Sequence, residues 1–143
     1  MKRVMKSLEH NEAIAVINPQ SCNRKTIFVE VVQQSEGPIP HLHVYHDKTR
    51  DPEKCSYVRL DRAEYFTAHK GGKKLSDNLK KEFIEIMNEP WKKHIIETSS
   101  GYRPATGYEA AVEIWVDTYE HDSLDKFNTD EYGNIIQVDY TSL

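Results

Sequence analysis

The chain reads as an α+β protein, and two features of its order say so. Strand-forming segments fill the first sixty residues, whereas helical periodicity appears only after residue 76. The third observation is size: 143 residues suit one core. A composition 38% hydrophobic and 29% charged, with mean hydropathy −0.72, gives that core a modest extent. The expectation is one domain over residues 1–143. It has a mostly antiparallel sheet of four to five strands and two main helices on one face, with 1–11 and 120–134 peripheral or flexible.

Ala13 to Asn18 is short, rich in β-branched residues and closed by Pro19, and Thr26 to Gln33 is richer still in strand formers. The turn residues Pro19 to Asn23 between them predict an antiparallel hairpin. Pro38 and Pro40 break the chain, and His41 to His46 follows as a third strand, because a proline biases its predecessor to extended geometry. Tyr57 to Leu60 is the fourth. Asp61 to His69 has no period long enough to assign and reads as irregular.

Ser76 or Asp77 offers an N-cap for a helix over 76–88, with Leu79, Phe83, Ile86 and Met87 on one stripe. Pro90 ends it. Trp91 to Glu97 reads as a further helical turn or two, closed by Ser99-Ser100-Gly101. Thr106-Gly-Tyr-Glu109 is a capping box, and the helix it opens, 107–120, carries an apolar arc that includes Ala111, Ile114 and Trp115. Ile135 to Tyr140 reads as a last strand or a docked tail.

Charge and cysteine content bound the function. The net charge of −4 hides an acidic end, with 2 Lys/Arg against 9 Asp/Glu over residues 101–143. With a pI near 6.0, nucleic-acid binding has no strong electrostatic support, and a nucleic-acid partner is not expected, though the charge does not exclude it. No run approaches the roughly 18 apolar residues of a membrane span. The basic start Met1 to Lys6 lacks the apolar stretch of a signal peptide. Cys22 and Cys55 are too few for a disulfide framework. A cytoplasmic protein with reduced thiols is expected, its partner an unidentified protein or small molecule and not a membrane.

The segment with chemical content is Pro40-His41-Leu42-His43-Val44-Tyr45-His46. In a strand, His41, His43 and Tyr45 share one face, about 6.5 to 7 Å apart, and Leu42, Val44 and His46 share the other. Leu42 and Val44 hold the stronger claim on the core, so the two imidazoles and the phenol are expected to face outward as ligand-binding candidates and to be unnecessary for folding. A zinc site needs further ligands, for which Cys55, Asp47, His69 and His94 are available without any spacing that demands them. The expectation is therefore a metal-free row and no cofactor, with His41 and His43 the ligands if a metal is held. A histidine-triad hydrolase would place a third histidine where Tyr45 stands. Lys70-Gly71-Gly72-Lys73-Lys74 lacks Walker spacing and reads as a solvated basic turn, with Lys70, Lys73 and Lys74 as anion-binding candidates.

The Pro-His-Leu-His-Val strand resembles that of small bacterial proteins with a Pro-His-φ-His-Val strand in a compact α+β domain, often carried on mobile elements or near toxin and antitoxin genes. The resemblance covers residues 38–60. It implies that His41 and His43 matter and that the role is accessory; it brings no established reaction. Two functions follow as expectations. The first is a non-catalytic binding or regulatory module; the second is a small metal- or His-dependent hydrolase acting on a phosphorylated or nucleotide substrate through His41 and His43.

Overall fold

The computed structural model describes residues 13–16, 27–32, 39–47, 49, 51–69, 71–98, 100–118 and 126–143. It is a small α+β fold. Strands β1 (Ala13–Val16), β2 (Phe28–Val32), β3 (His41–Tyr45) and β4 (Cys55–Arg59) pair antiparallel in chain order. Helix α1 (Asp77–Asn88) follows, then strands β5 (Pro90–Thr98) and β6 (Gly101–Thr106), and helix α2 (Gly107–Thr118). β5 and β6 form a separate two-stranded sheet, so the strands divide between two sheets instead of sharing one.

Register explains how the main sheet builds the core. Val29 pairs with Val44, and Leu42 with Val58, so these side chains stand on one face. All four are fully buried, in one cluster with Phe83, Ile86 and Met87 of α1 and Ala111, Ile114 and Trp115 of α2. The apolar stripe of α1 and the wide arc of α2 are thus both used. Ser76 caps α1 by accepting from the Leu79 amide at 3.2 Å. The helices approach each other closely at Gly107, where a Cβ would lie 2.3 Å from the Ile86 carbonyl oxygen.

The capping box of α2 forms as its residues predict. The Glu109 amide donates to Thr106 Oγ1 at 3.1 Å, and the Thr106 amide donates to Glu109 Oε1 at 3.0 Å. Arg103 adds a bidentate pair to the same carboxylate, both bonds 2.8 Å. Burial pushes the Glu109 carboxyl up, but the Arg103 guanidinium and the Thr106 bonds outweigh it and hold the group below its ordinary value. The box therefore contributes fully above the unfolded glutamate pKa of about 4.3 and is lost as pH falls through the lower folded value. Thr106→Ala is expected to cost about 1 kcal/mol. In Glu109→Gln, urea midpoints followed from pH 6 downward should lose part of the acid-dependent fall; a slope equal to that of the wild type would show that the box is not coupled to stability.

One sequence expectation is corrected, and of the two readings of Ile135 to Tyr140 the docked tail holds. Trp91 to Glu97 is not helical: it belongs to β5, and Gly101–Thr106, left without an element above, is its partner. The reason is tertiary, since Glu89 caps α1 in extended geometry and sends the chain into a strand that pairs with β6 at Pro90 and Trp91 and again from Ile95 to Thr98, with a register shift between. Ile135 to Tyr140 is not a strand. Ile135 makes only an isolated bridge to Thr129, and Tyr140 lies buried in a 3₁₀ turn, Tyr140–Ser142. The tail is docked by Tyr140 Oη donating to the Arg59 carbonyl at 2.6 Å and Lys80 Nζ donating to the Thr141 and Leu143 carbonyls. Of the segments expected to be peripheral or flexible, 1–11 and 120–125 lie outside the described residues. No helix among the described residues is long and apolar enough to cross a membrane.

Candidate metal centre

β4 is the edge of the main sheet, and the chain that leaves it turns back to cover that edge. The Arg59 amide donates to the Glu64 carbonyl, the Phe66 amide to the Tyr57 carbonyl at 2.7 Å, and the Lys73 amide to the Cys55 carbonyl at 3.0 Å. Alternate residues of β4 thus hold the 64–73 segment, which lays Phe66 and His69 over the face carrying His41 and His43. Tyr65 Oη accepts from the Leu75 amide at 2.9 Å and fixes the far end of the segment.

This return path overturns the outward-facing expectation for His41. Both faces of β3 are covered, and His41 is fully buried. Its ring stacks on Phe66 with centroids 4.0 Å apart and lies 5.7 Å from the Trp115 ring. A histidine in that position is part of the packing as well as a polar group, so its removal is expected to cost stability. His43 is half-buried, and Tyr45 stands 6.4 Å further along the row.

His41, His43 and His69 form a triangle of imidazoles, with ring centroids 5.5, 5.2 and 5.3 Å apart. One ligand nitrogen from each falls within 4.8 Å of the other two. Tetrahedral zinc, at about 2.0 to 2.1 Å from each nitrogen, places ligands about 3.3 Å apart, so each ring need move inward by less than about 1 Å. His41 Nδ1 lies 2.8 Å from the Ile39 carbonyl oxygen. A carbonyl only accepts, so Nδ1 carries the proton and the neutral ring has its lone pair on Nε2. Metal-ligating histidines are oriented by this kind of bond to a backbone carbonyl.

The other ligand candidates fall away from this triangle. Cys55 is buried and its thiol is pushed up to about 12, chiefly by burial; Sγ donates to the Ser56 carbonyl at 3.6 Å. It is a protonated packing group at neutral pH. Asp47 is half-buried and engaged by Thr49, and those bonds lower its carboxyl. His46 takes the opposite face, as strand parity requires, with Nε2 2.7 Å from Ser56 Oγ. Burial lowers its pKa, with Asp47 opposing and the Lys73 charge adding to the effect. The His94 side chain and Lys70 lie outside the described residues.

Beside the triangle is a cleft of about 310 Å³, walled by Tyr57, Tyr65, Phe66, His69, Lys73 and Lys74. His69 belongs to both. Lys73 and Lys74 are exposed on the turn that closes the cleft. Tyr57 links the parts, with its ring 4.8 Å from His43 and 4.5 Å from His69. Gly72 presses on that ring: a Cβ there would sit 2.9 Å from Tyr57 Cδ2. Because Tyr57 is wedged between Gly72 and two histidines, Gly72→Ala is expected to cost about 1 to 3 kcal/mol by overpacking. An unchanged urea midpoint would show that the ring gives way freely.

Sequence reasoning passed over Glu30, a buried carboxylate paired in register with His43 across the ladder. Its position in an alternating strand was the available signal, since it falls on the His43 face once the hairpin register is fixed. The role of Phe66 as the floor under His41 had no local signal. No protein-family profile, curated protein or solved structure matches the chain.

Proposed function

We propose that the protein is a metal-binding module in which His41, His43 and His69 hold one divalent transition-metal ion. Zinc is the ion that three imidazoles suit best under ordinary availability. The observation that carries this reading is the convergence of three histidine nitrogens within 4.8 Å, two from one strand and one from a segment bonded to the next strand. Chance surface histidines seldom meet with one of them fully buried and oriented by a backbone carbonyl. The likeness of the Pro-His-φ-His-Val strand to that of small bacterial accessory proteins accords with a binding or regulatory role.

A hydrolytic role is the second reading, and the ligand count favours it. Structural zinc sites usually close with four protein ligands, whereas catalytic sites use three and leave a position open. Among the described residues the group has three members.

The test is metal content. Protein purified without chelator, or stripped and reloaded, should hold one zinc per chain by elemental analysis. His43→Ala and His69→Ala should lose stoichiometric binding while far-UV circular dichroism stays that of the folded chain. Absence of zinc uptake by the wild type, or equal uptake by both variants, would overturn the proposal.

A further inference from the structure

We infer that the cleft beside His69 binds a phosphate monoester, with Lys73 and Lys74 contacting the phosphate and one of its oxygens filling the metal's open position. This rests on the metal reading above and names the ligand class of that site. Three observations converge on it. First, His69 is at once a member of the triangle and a wall of the cleft, so the cleft and the triangle meet at that ring. Second, among the described residues the charged ones lining the cleft are Lys73 and Lys74, with no carboxylate; a divalent ion held by three neutral imidazoles adds two further positive charges. A site of that balance selects an anion carrying about two negative charges, as a phosphate monoester does near neutral pH.

Third, the remaining walls are the rings of Tyr57, Tyr65 and Phe66, and a volume of about 310 Å³ is larger than a bare phosphate requires. Aromatic walls reward an apolar or planar group on the ester, which free phosphate lacks. The cleft wall beside Lys73 is anchored by backbone bonding: the Lys73 amide is fixed to Cys55 of β4 and the Leu75 amide to Tyr65, so the lysines stand on a segment tied to the same edge strand that positions His69.

The experiment is calorimetric titration of the full chain, zinc-loaded and metal-free, with phenyl phosphate and with inorganic phosphate, zinc content being measured on each sample first. The expected result is saturable phenyl phosphate binding by the zinc-loaded chain, tighter than that of inorganic phosphate. The Lys73→Ala/Lys74→Ala variant should keep one zinc per chain and bind roughly tenfold or more weakly, the scale of a lost charge-assisted contact. Zinc uptake with no phosphate binding, or unchanged binding in the double variant, would overturn the ligand assignment and leave the metal centre standing. Inorganic phosphate binding as tightly as the ester would overturn the ester. Phosphate binding with no zinc uptake would instead overturn the metal's part in the site.

Discussion

Trp115→Ala is expected to lower the unfolding free energy by about 3 to 5 kcal/mol, the range for removing a buried indole from a close-packed core. The side chain has no exposed surface and belongs to the cluster that unites the sheet with both helices. It also lies against His41, 5.7 Å between ring centroids, so the cavity left behind opens beside a proposed ligand. Urea unfolding of metal-free protein isolates the packing loss from any contribution of metal binding. A loss below about 1 kcal/mol would mean that α2 is not packed as described.

His41→Ala is the second large effect, and it reverses what strand parity alone suggests. Removing the ring empties the space between Phe66 and Trp115 and leaves the Ile39 carbonyl without its donor. A loss of about 2 to 4 kcal/mol is expected, combining the cavity with the broken hydrogen bond. His41→Phe refills the volume and should recover most of the packing part, yet it supplies no ligand nitrogen. His69→Ala, at a half-buried position on the return segment, should cost under about 1 kcal/mol. All three variants are expected to lose metal binding, so stability and metal affinity separate across the series. If His41→Ala were as stable as His69→Ala, burial of the first ring would be refuted.

The sequence made the local features of this fold legible and left the tertiary ones dark. The β-branched run now seen as β2, the stripe of α1 and the Thr106–Glu109 box each declare themselves through period or reciprocal capping within a few residues. The β5–β6 hairpin did not, although Ile95, Ile96 and Thr98 are strand formers. Pro90 also suits a helix start, and Ser99-Ser100-Gly101 serves a hairpin turn as well as a helix end. Pro104, which cannot donate to a ladder, disguised β6 further; a two-stranded sheet consists only of edges, where it is tolerated.

At the site, parity correctly separated His41 and His43 from His46, because the side-chain period of two is a local property. It did not reveal what covers each face. His69 stands 26 residues after His43 in the sequence and reaches it only because backbone bonds from Phe66 and Lys73 tie the return segment to β4. No ligand-spacing rule encodes such a connection, so His69 stood level with Cys55, Asp47 and His94. Lys73 and Lys74 likewise acquire chemical meaning only once the turn that carries them is seen to close a cleft that His69 also lines.

The most direct examination of the three-histidine centre is zinc-edge X-ray absorption on the full chain loaded with one equivalent of zinc. Three imidazole nitrogens and one oxygen ligand at about 2.0 Å, with imidazole multiple scattering that diminishes by one ring in His69→Ala, is the result expected of His41, His43 and His69 together. A sulfur shell near about 2.3 Å would bring Cys55 or Cys22 into the centre, and a shell of oxygen ligands without imidazole scattering would place the ion elsewhere. Either spectrum would contradict the triangle as the metal centre.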